Sequence, residues 1–378
     1  MHELASRGAQ IILLTQQPPS DVFLVDYIQD VRESTGNQLI YAEQVNLSSL
    51  HSVRTFATKW IDNIPPRRLD MIILCASTAA PSYGSRSTTP DGLDVDWQVN
   101  YLSNFHLLGI LSPALRAQPP DRDVRIIFTT CSGYIGATYD LKHALNTVED
   151  ARPPSSGSTT PKAIAKAKAA KSKQQQQKKQ PNLFRLSKLC LMIFAHSFQS
   201  HLNSYKRPDG QPPNARVSIV DPGLSRTPGT RRWLTGGSLW GLLFYLSTWP
   251  LWWLVLKSSQ QGAQSILYAA MEARLGKGTG GWFIKECREV DVARKEIRDD
   301  EVAKKLWQFS EELIVEREKA GAAKRTLEKA AADEEKKKKK KSTTKNGGAG
   351  QSSSTGDNKR GKPVNPPSKE QKARKGPR

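Results

Sequence analysis

The sequence predicts an α/β fold built around a doubly wound parallel sheet. Short apolar runs alternate with segments of helical length from the N terminus to about residue 290. The apolar runs are nearly continuous, which is typical of strands buried on both faces of a parallel sheet. Because a domain of this class commonly needs about 250 residues, the 378 residues predict one core with additional segments.

Five apolar runs are the predicted strands, and they occupy residues 10–15, 38–44, 71–75, 124–130 and 216–220. Helical patterns fill the intervals at residues 21–36, 48–64, 99–115 and 183–202. Gly8 closes a short helix at the N terminus. A closing amphipathic helix, which we expect to pack on the core, is predicted from the helical spacing of Val302, Leu306, Phe309 and Leu313.

Two segments have the composition of disordered chain. Residues 152–181 are rich in Pro, Ser, Lys and Gln, and residues 330–378 carry a lysine run followed by Ser, Gly and Pro. The core is therefore expected in two parts, residues 1–151 and residues 182–329. The second part includes an apolar stretch at residues 233–256.

The charge pattern argues against nucleic-acid binding. The net charge is +21 and the pI about 9.8, yet almost all of the excess lies in residues 152–181 and 330–378. The predicted core is close to neutral, and no aromatic or Arg-rich pattern accompanies the lysines. We expect no nucleic-acid partner.

The cysteines and histidines do not form a metal-binding pattern. The four cysteines lack CxxC spacing and mostly lie in apolar runs, and the six histidines are scattered. This indicates buried thiols in a reducing compartment and no metal site. The first residues also lack the features of a cleavable signal peptide, since Met1–Arg7 is short and contains Glu3.

The order of several motifs resembles that of the short-chain dehydrogenase/reductase family. They are GAQIILLTQQ, NLSSLHSVRTFA, LDMIILCAS, TPDGLDVDWQVNYLSNFHLL, VRIIFTTCSGYIG, FRLSK, VSIVDPGLSRT and KSSQQGAQSILYAA, which together cover most of residues 1–290. The resemblance implies a Rossmann-like sheet and hydride transfer between NADP or NAD and an alcohol or carbonyl compound.

One part of the family pattern is missing from the sequence. The family fold opens with a strand and a TGxxxGxG turn, whose backbone N–H groups hold the cofactor pyrophosphate. Met1 falls where the helix after that turn should already be under way. We therefore expect a sheet without its first strand and Gly-rich loop, through an incomplete gene prediction or, as the rival explanation, evolutionary loss.

The remaining cofactor positions are recognisable. The resemblance places Asn46 near the adenine, and the segment Cys75, Ala76 and Ser77 at the position of the family's Asn-Ala-Gly. Pro222, Gly223 and Thr227 match the family's PGxxxT, which contacts the carboxamide, and Lys188 matches the lysine that bonds ribose hydroxyls.

Phe184 is the main departure from the family's catalytic residues. In Tyr-x-x-x-Lys the lysine lowers the pKa of a phenol one helical turn away and makes it a general acid or base. Here FRLSK places Phe184 at the tyrosine position, one turn before Lys188. A phenyl ring has no proton to donate, so catalysis is expected to be weak or absent unless another residue, such as Tyr134 or Tyr139, substitutes.

Two further catalytic positions are carried over from the family. Asn100 matches the helix asparagine that holds a water of the proton relay. The serine that stabilises the oxyanion falls at Ser132 or Cys131. Chemistry favours Ser132, because a hydroxyl donates to a carbonyl oxygen better than a thiol, whereas counting without gaps favours Cys131.

The apolar stretch at residues 233–256 favours membrane association. Its 24 residues carry no charge and include five of the nine tryptophans, with a Gly-Gly pair and Pro250 interrupting it. Because Trp prefers the headgroup interface, a helix-Pro-helix wedge in one leaflet fits better than a membrane-crossing helix. The alternative is a substrate lid packed on the core.

Three segments resemble a fungal, retinol-dehydrogenase-like branch of the family found on lipid droplets and the endoplasmic reticulum. They are GSLWGLLFYLSTWPLWWLVLKSSQQGAQS, GGWFIKEC and KKLWQFSEELI. The resemblance implies a lipophilic alcohol or carbonyl substrate and a catalytic domain facing the cytosol. The rival hypothesis is a non-catalytic lipid-droplet scaffold with the same fold. The sequence leaves the choice of NAD or NADP and the oligomeric state open.

Overall fold

The computed structural model describes residues 1–65, 67–79, 87–141, 182–236 and 238–345. It separates into two compact units, Met1–Ala323 and Lys324–Arg378. The strands described below belong to the first unit. The segment predicted to be disordered at residues 152–181 lies outside the described residues, and so do residues 346–378.

The predicted parallel sheet is present and is divided into two pieces. One piece pairs β1 (Ile11–Thr15) with β2 (Ile40–Gln44) in parallel. The other has the order β3-β4-β5-β6-β7 and consists of Met71–Leu74, Val124–Thr129, Ala215–Asp221, Trp282–Lys285 and Arg288–Glu289. Its first four strands are parallel and β7 is antiparallel. Strands β6 and β7 were not predicted, because β7 has only two residues and β6 is a run of three apolar residues ending in Lys285.

Local signals in the sequence set the ends of the first long helices. Helix α1 is His2–Ala5, and α2, Val22–Thr35, begins where the Asp21 carboxylate accepts a hydrogen bond from Leu24 N. Helix α2 ends at Gly36, whose φ of +69° is the left-handed conformation that glycine adopts at no steric cost. Ser49 caps α3, Leu50–Ile61, in the same way.

The helix predicted over residues 99–115 is present, and it contains a π-helical turn that was not predicted. It consists of α4 (Val95–Trp97), a π-helical turn (Gln98–Leu102) and α5 (Ser103–Arg116). A π-turn inserts an extra residue into the helical hydrogen-bond pattern, which periodicity cannot reveal, and such turns are frequent at functional sites. Asn100 lies inside it.

Helices cover both faces of the five-stranded sheet, which makes the fold doubly wound. Helices α5 and α6 (Leu183–Ser204) pack on one face, where Ile126 and Phe128 of β4 are fully buried. On the other face Ile127 of the same strand packs with Ala269 of α10 (Ser259–Met271). Burying successive side chains on opposite faces accounts for the continuous apolar runs in the sequence.

The predicted closing helix, α11 (Asp300–Lys345), packs on the core. Leu306 and Leu313 are buried, and the Trp307 ring centre lies 5.2 Å from that of Phe105. The predicted start of the tail at residue 330 is wrong, because α11 continues to Lys345. The Ala, Glu and Lys residues of this stretch have high helix propensity.

The apolar stretch forms two consecutive helices, α8 (Leu239–Ser247) and α9 (Trp249–Val255), which we call the helical hairpin because the chain returns after them to pair Lys257 with Ser225. It follows α7 (Pro228–Thr235). The chain turns at Thr248, and Pro250 lies in the first turn of α9, where no intrahelical N–H is needed. Within the described ranges, no helix is long and apolar enough to cross a membrane.

Candidate active site

The candidate site lies at the carboxyl ends of β3, β4 and β5. These strands are parallel neighbours, so their last residues meet at one edge of the sheet, where open α/β sheets bind ligands. Cys75 follows β3, and its Sγ atom lies 3.2 Å from Oγ1 of Thr129 at the end of β4. Cys131 and Ser132 come directly after β4, and Asp221 is the last residue of β5.

Helix α6 supplies Phe184 and Lys188 to this edge. The helix begins at Asn182, whose side chain accepts a hydrogen bond from Arg185 N. Lys188 is buried, and its Nζ donates to Thr129 O at 3.3 Å while lying 5.9 Å from the centre of the Phe184 ring. Phe184 itself is half-buried. The ring is therefore at the cleft, in the geometry that the FRLSK spacing predicts.

Burial changes the proton affinity of Lys188. Removal from water lowers the pKa of its ammonium group, and the nearby Cys131, Cys75, Asp96 and Asp221 oppose this by favouring the charged form. The lysine therefore retains an environment suited to binding polar hydroxyl groups. The side chain it faces across one helical turn, however, has no hydroxyl.

Asp221 is a site residue that the sequence analysis did not identify. It is 1% exposed, and its carboxylate accepts hydrogen bonds from Ser132 Oγ at 2.7 Å and Gly223 N at 3.0 Å. The available signal was a carboxylate at the end of an apolar strand, directly before Pro-Gly. Asp221 fixes the direction of the Ser132 hydroxyl, since Ser132 donates to it.

Cys131 lies on the Phe184 side of the same loop. A β-carbon placed on Gly133 would lie 3.3 Å from Cys131 Sγ and 3.6 Å from Phe184 Cε1, so both groups flank this glycine. Burial raises the pKa of the Cys131 thiol, although Lys188 opposes the effect, and the thiol keeps its proton. Both alternatives for the family serine thus reach the site, Ser132 bonded to Asp221 and Cys131 beside the ring.

Asn100 connects two parts of the site. Its Nδ2 donates to Thr78 O at 2.9 Å and to Ser187 Oγ at 3.2 Å, and its Oδ1 accepts from Thr78 N at 2.7 Å. The buried amide therefore fastens the loop after β3 to α6, next to Lys188. This positions the cleft wall through satisfied hydrogen bonds.

The predicted cofactor residues are distributed along the same edge of the strands. Asn46 follows β2, and its Oδ1 accepts from Ser48 N at 2.9 Å, which closes a local turn. Ala76 and Ser77 are exposed after β3.

The Pro-Gly turn after β5 has a conformational requirement. Pro222 precedes Gly223, whose φ is +77°, and a β-carbon there would lie 2.4 Å from Glu286 Oε1. Only glycine fits without strain.

Thr227 has a capping role that the sequence did not reveal. Its Oγ1 accepts a hydrogen bond from Thr230 N at 3.2 Å, as a residue preceding a helix does. The hydroxyl predicted to contact a carboxamide thus stabilises the start of α7.

The two tyrosines considered as replacements for the missing phenol have other environments. Tyr134 is buried, and its OH accepts from Ala293 N at 3.3 Å. Burial and the nearby Cys190 raise the pKa of Tyr139, whose hydroxyl therefore keeps its proton. Neither is among the groups that shift the pKa of Lys188.

Metal-ligating side chains do not gather in the described part of the chain. No group of three or more His, Cys, Asp or Glu residues there could hold a metal ion.

A parallel sheet covered on both faces, with polar residues gathered at its carboxyl edge, defines a Rossmann-like α/β protein. No protein-family model matches the chain. A solved structure of an uncharacterized protein from Mycobacterium paratuberculosis superimposes with a TM-score of 0.50 at 20% identity, over 83% of this chain and 87% of that one. This likeness concerns the fold alone.

Curated relatives identify the family. The chain is 40% identical to "uncharacterized oxidoreductase pbr1" of Schizosaccharomyces pombe over 84% of its own length and 78% of the relative's. It is 35% identical to "uncharacterized oxidoreductase YNL181W" of Saccharomyces cerevisiae, over 87% and 78%. Human retinol dehydrogenase 13 is 28% identical over 82% and 79%. The chain belongs to the short-chain dehydrogenase/reductase family.

Proposed function

We propose that this chain is a membrane-associated short-chain dehydrogenase/reductase whose hydride transfer is slow because Phe184 occupies the position of the family tyrosine. The observation that carries the proposal is the placement of the ring. Phe184 lies at the cleft, 5.9 Å from Lys188 Nζ, where a phenol would complete a proton-transfer pair. Loss of a positioned general acid costs roughly 10²- to 10⁴-fold in rate.

The family reaction uses NADP or NAD as the hydride carrier, and part of the site fits such a cofactor. Lys188 is held at the cleft by Thr129 O, and Gly223 gives the turn after β5 the close backbone approach that a nicotinamide ribose needs.

We also propose that the sheet accepts one more parallel strand between β1 and β3. The break in hydrogen bonding supports this, because β1 pairs with β2 alone and β3 is the edge of the five-stranded sheet. Both edge strands are apolar, yet none of their residues is fully buried, and Leu14 is 37% exposed. A buried parallel strand would cover them.

Membrane association is proposed from the helical hairpin. Large apolar side chains on both of its helices point to solvent, including Trp240 at 82% exposure and Leu254 at 78%. A soluble protein rarely exposes a contiguous apolar surface of this kind. We propose insertion into one leaflet of the endoplasmic reticulum or the monolayer of a lipid droplet, with the α/β domain on the cytosolic side.

The proposed substrate is a lipophilic alcohol or carbonyl compound. A site carried beside a membrane-inserting hairpin draws its substrate from the membrane, and retinol dehydrogenase 13, whose name gives a lipophilic alcohol, is among the relatives. The competing proposal is a non-catalytic lipid-droplet scaffold, which Phe184 favours.

Nucleotide titration of the full chain, followed by tryptophan fluorescence, tests these proposals. The reductase proposal expects a saturable change with NADP(H) or NAD(H) that weakens when Lys188 is replaced by Met. A signal that never saturates, or one that Lys188→Met leaves unchanged, would instead support the scaffold. The matched control is Lys206→Met, which makes the same substitution at an exposed lysine.

A further inference from the structure

A cavity lies at the base of the helical hairpin, outside the candidate active site. Its volume is about 530 Å³, and it is lined by Pro228, Arg231, Arg232, Thr235 and Leu242. Volumes of this size are typical of small-molecule sites in proteins. Residues of α7, including Arg231 and Arg232, and Leu242 of α8 form this wall, whose surface is mostly apolar.

The two charged residues that line this cavity, Arg231 and Arg232, are both positive. The sequence contains no Asp or Glu between Asp221 and Glu272. Among the described residues, no ion pair involves Arg231 or Arg232, and both side chains are exposed. Two adjacent guanidinium groups without carboxylate partners are suited to an oxyanion, above all a phosphate.

The cavity adjoins the apolar surface of the hairpin. Leu242 lines the cavity and belongs to α8, whose Leu239 and Trp240 are more than 80% exposed (84% and 82%). Beside Lys257, where the chain returns to the α/β domain, the Arg226 guanidinium stacks over the Trp253 ring at 5.4 Å. A ligand that fits this surface has an anionic head and long apolar tails.

The base of the hairpin is fixed to the α/β domain. Lys257, directly after α9, pairs with Glu286 at 2.9 Å, and Lys257 N donates to Leu224 O at 3.1 Å. Helices α7 and α8 approach so closely that a β-carbon on Gly241 would lie 2.0 Å from Thr235 O. The positions of Arg231 and Arg232 relative to the apolar side chains of α8 are therefore fixed.

We propose that Arg231 and Arg232 form a headgroup site for an anionic glycerophospholipid, whose phosphate pairs with these guanidinium groups while its acyl chains run along α8 and α9. The inference rests on the proposed membrane association and specifies the lipid. It assigns lipid selection to the arginines and depth of insertion to the apolar side chains.

Flotation of the full chain with vesicles tests this proposal. The vesicles are phosphatidylcholine alone or phosphatidylcholine mixed with phosphatidylserine. Arg231→Gln/Arg232→Gln should lose about 30-fold in partition onto the anionic vesicles, from about 1 kcal/mol for each basic residue near the surface. It should bind phosphatidylcholine alone as the parent does.

The matched control is Lys206→Gln/Lys277→Gln, which removes the same charge from exposed residues at the opposite end of β5. We expect this control to bind both vesicles like the parent. Equal loss in the two double variants, or no loss in the arginine variant, would overturn the proposal. Displacement of the parent from the vesicles by inorganic phosphate at matched phosphate concentration would also overturn it, since the site would then take soluble phosphate.

A separate variant tests the membrane association on which the inference rests. Trp240→Ser/Leu254→Ser changes only exposed side chains and should lose binding to both vesicles. Retained binding would refute insertion of the hairpin and the headgroup site with it. If Trp240→Ser/Leu254→Ser loses binding while Arg231→Gln/Arg232→Gln binds anionic vesicles as the parent does, the headgroup site is refuted and membrane insertion is supported.

Discussion

The Lys188 amino group faces the ring of Phe184 at 5.9 Å and donates a hydrogen bond to the backbone of Thr129. The two side chains stand one helical turn apart at the mouth of a cleft formed by three parallel strands. We propose that Lys188 is the amino group of a catalytic pair whose phenolic partner is absent, which is the basis of the first prediction below.

Phe184→Tyr should increase reductase activity. The added hydroxyl would point into the cleft next to Lys188, which lowers the pKa of a phenol and makes it a proton donor. We expect a gain of roughly 10²- to 10⁴-fold, measured as oxidation of NADPH or NADH with a lipophilic aldehyde. Phe23→Tyr, at a side chain 85% exposed, controls for the substitution and should have no effect. Equal turnover of Phe184→Tyr and the parent would mean that another defect limits the rate.

Asp221→Ala should destabilise the site, because it leaves the donors Ser132 Oγ and Gly223 N without their acceptor. An unpaired buried polar group costs about 1–3 kcal/mol. Urea unfolding of Ser132→Ala, Asp221→Ala and the double variant measures the coupling, which we expect to be about 1 kcal/mol. Strict additivity of the two single changes would show that the hydrogen bond contributes nothing.

Gly262→Ala should destabilise the protein, whereas Gly109→Ala should stabilise it. Both glycines lie inside helices, but a β-carbon at Gly262 would be 2.3 Å from Ser225 Oγ, whereas one at Gly109 meets nothing within 4 Å. At the open position alanine is favoured by roughly 0.5–1 kcal/mol. Thermal unfolding compares the two variants, and a shift of the same sign in both would contradict the predicted clash with Ser225.

The stability of the fold should decrease below neutral pH through His106. Burial lowers the pKa of this histidine, whose Nε2 lies 3.2 Å from Glu318 Oε1, and Glu318 partly opposes the shift. Because the folded pKa lies below the unfolded value of 6.5, the unfolded chain takes up the proton more readily. The stabilising contribution is therefore present above that value and is lost as the pH falls through the folded pKa.

His106→Gln should flatten this pH dependence in urea unfolding between about pH 5 and pH 7. His2→Gln is the control, since His2 is exposed, and it should leave the dependence unchanged. A slope that is the same in both variants and the parent would assign the pH dependence to other groups.

Much of the fold could be predicted because its signals are local. Asp21 and Gly36 mark the two ends of α2 by their own side chain and backbone preferences, and the apolar runs mark β1 to β5. The π-turn around Asn100 could not be predicted, because one inserted residue leaves the apolar pattern of a helix intact. The helical extension of α11 past residue 330 was missed because lysine runs are common in both helices and disordered tails.

The candidate site, like the fold, could be predicted only in part from the sequence. Spacing along one helix sufficed to bring Phe184 and Lys188 together, since residues four apart share a helix face. The role of Asp221 required the structure, because its partner Ser132 is 89 positions away in the chain. Thr227 matched a family motif, yet its hydroxyl caps α7, a use that depends on where the helix begins.

The sequence by itself determined the fold class, the strand and helix pattern, the substitution at Phe184 and the uncharged apolar stretch, because each is encoded in neighbouring residues. Only the tertiary structure decided that the sheet is divided between β1 and β3, that Asp221 holds Ser132, and that the apolar stretch is exposed next to Arg231 and Arg232. These features depend on which strands and side chains meet across long separations, and hydrophobic periodicity carries no information about such pairings.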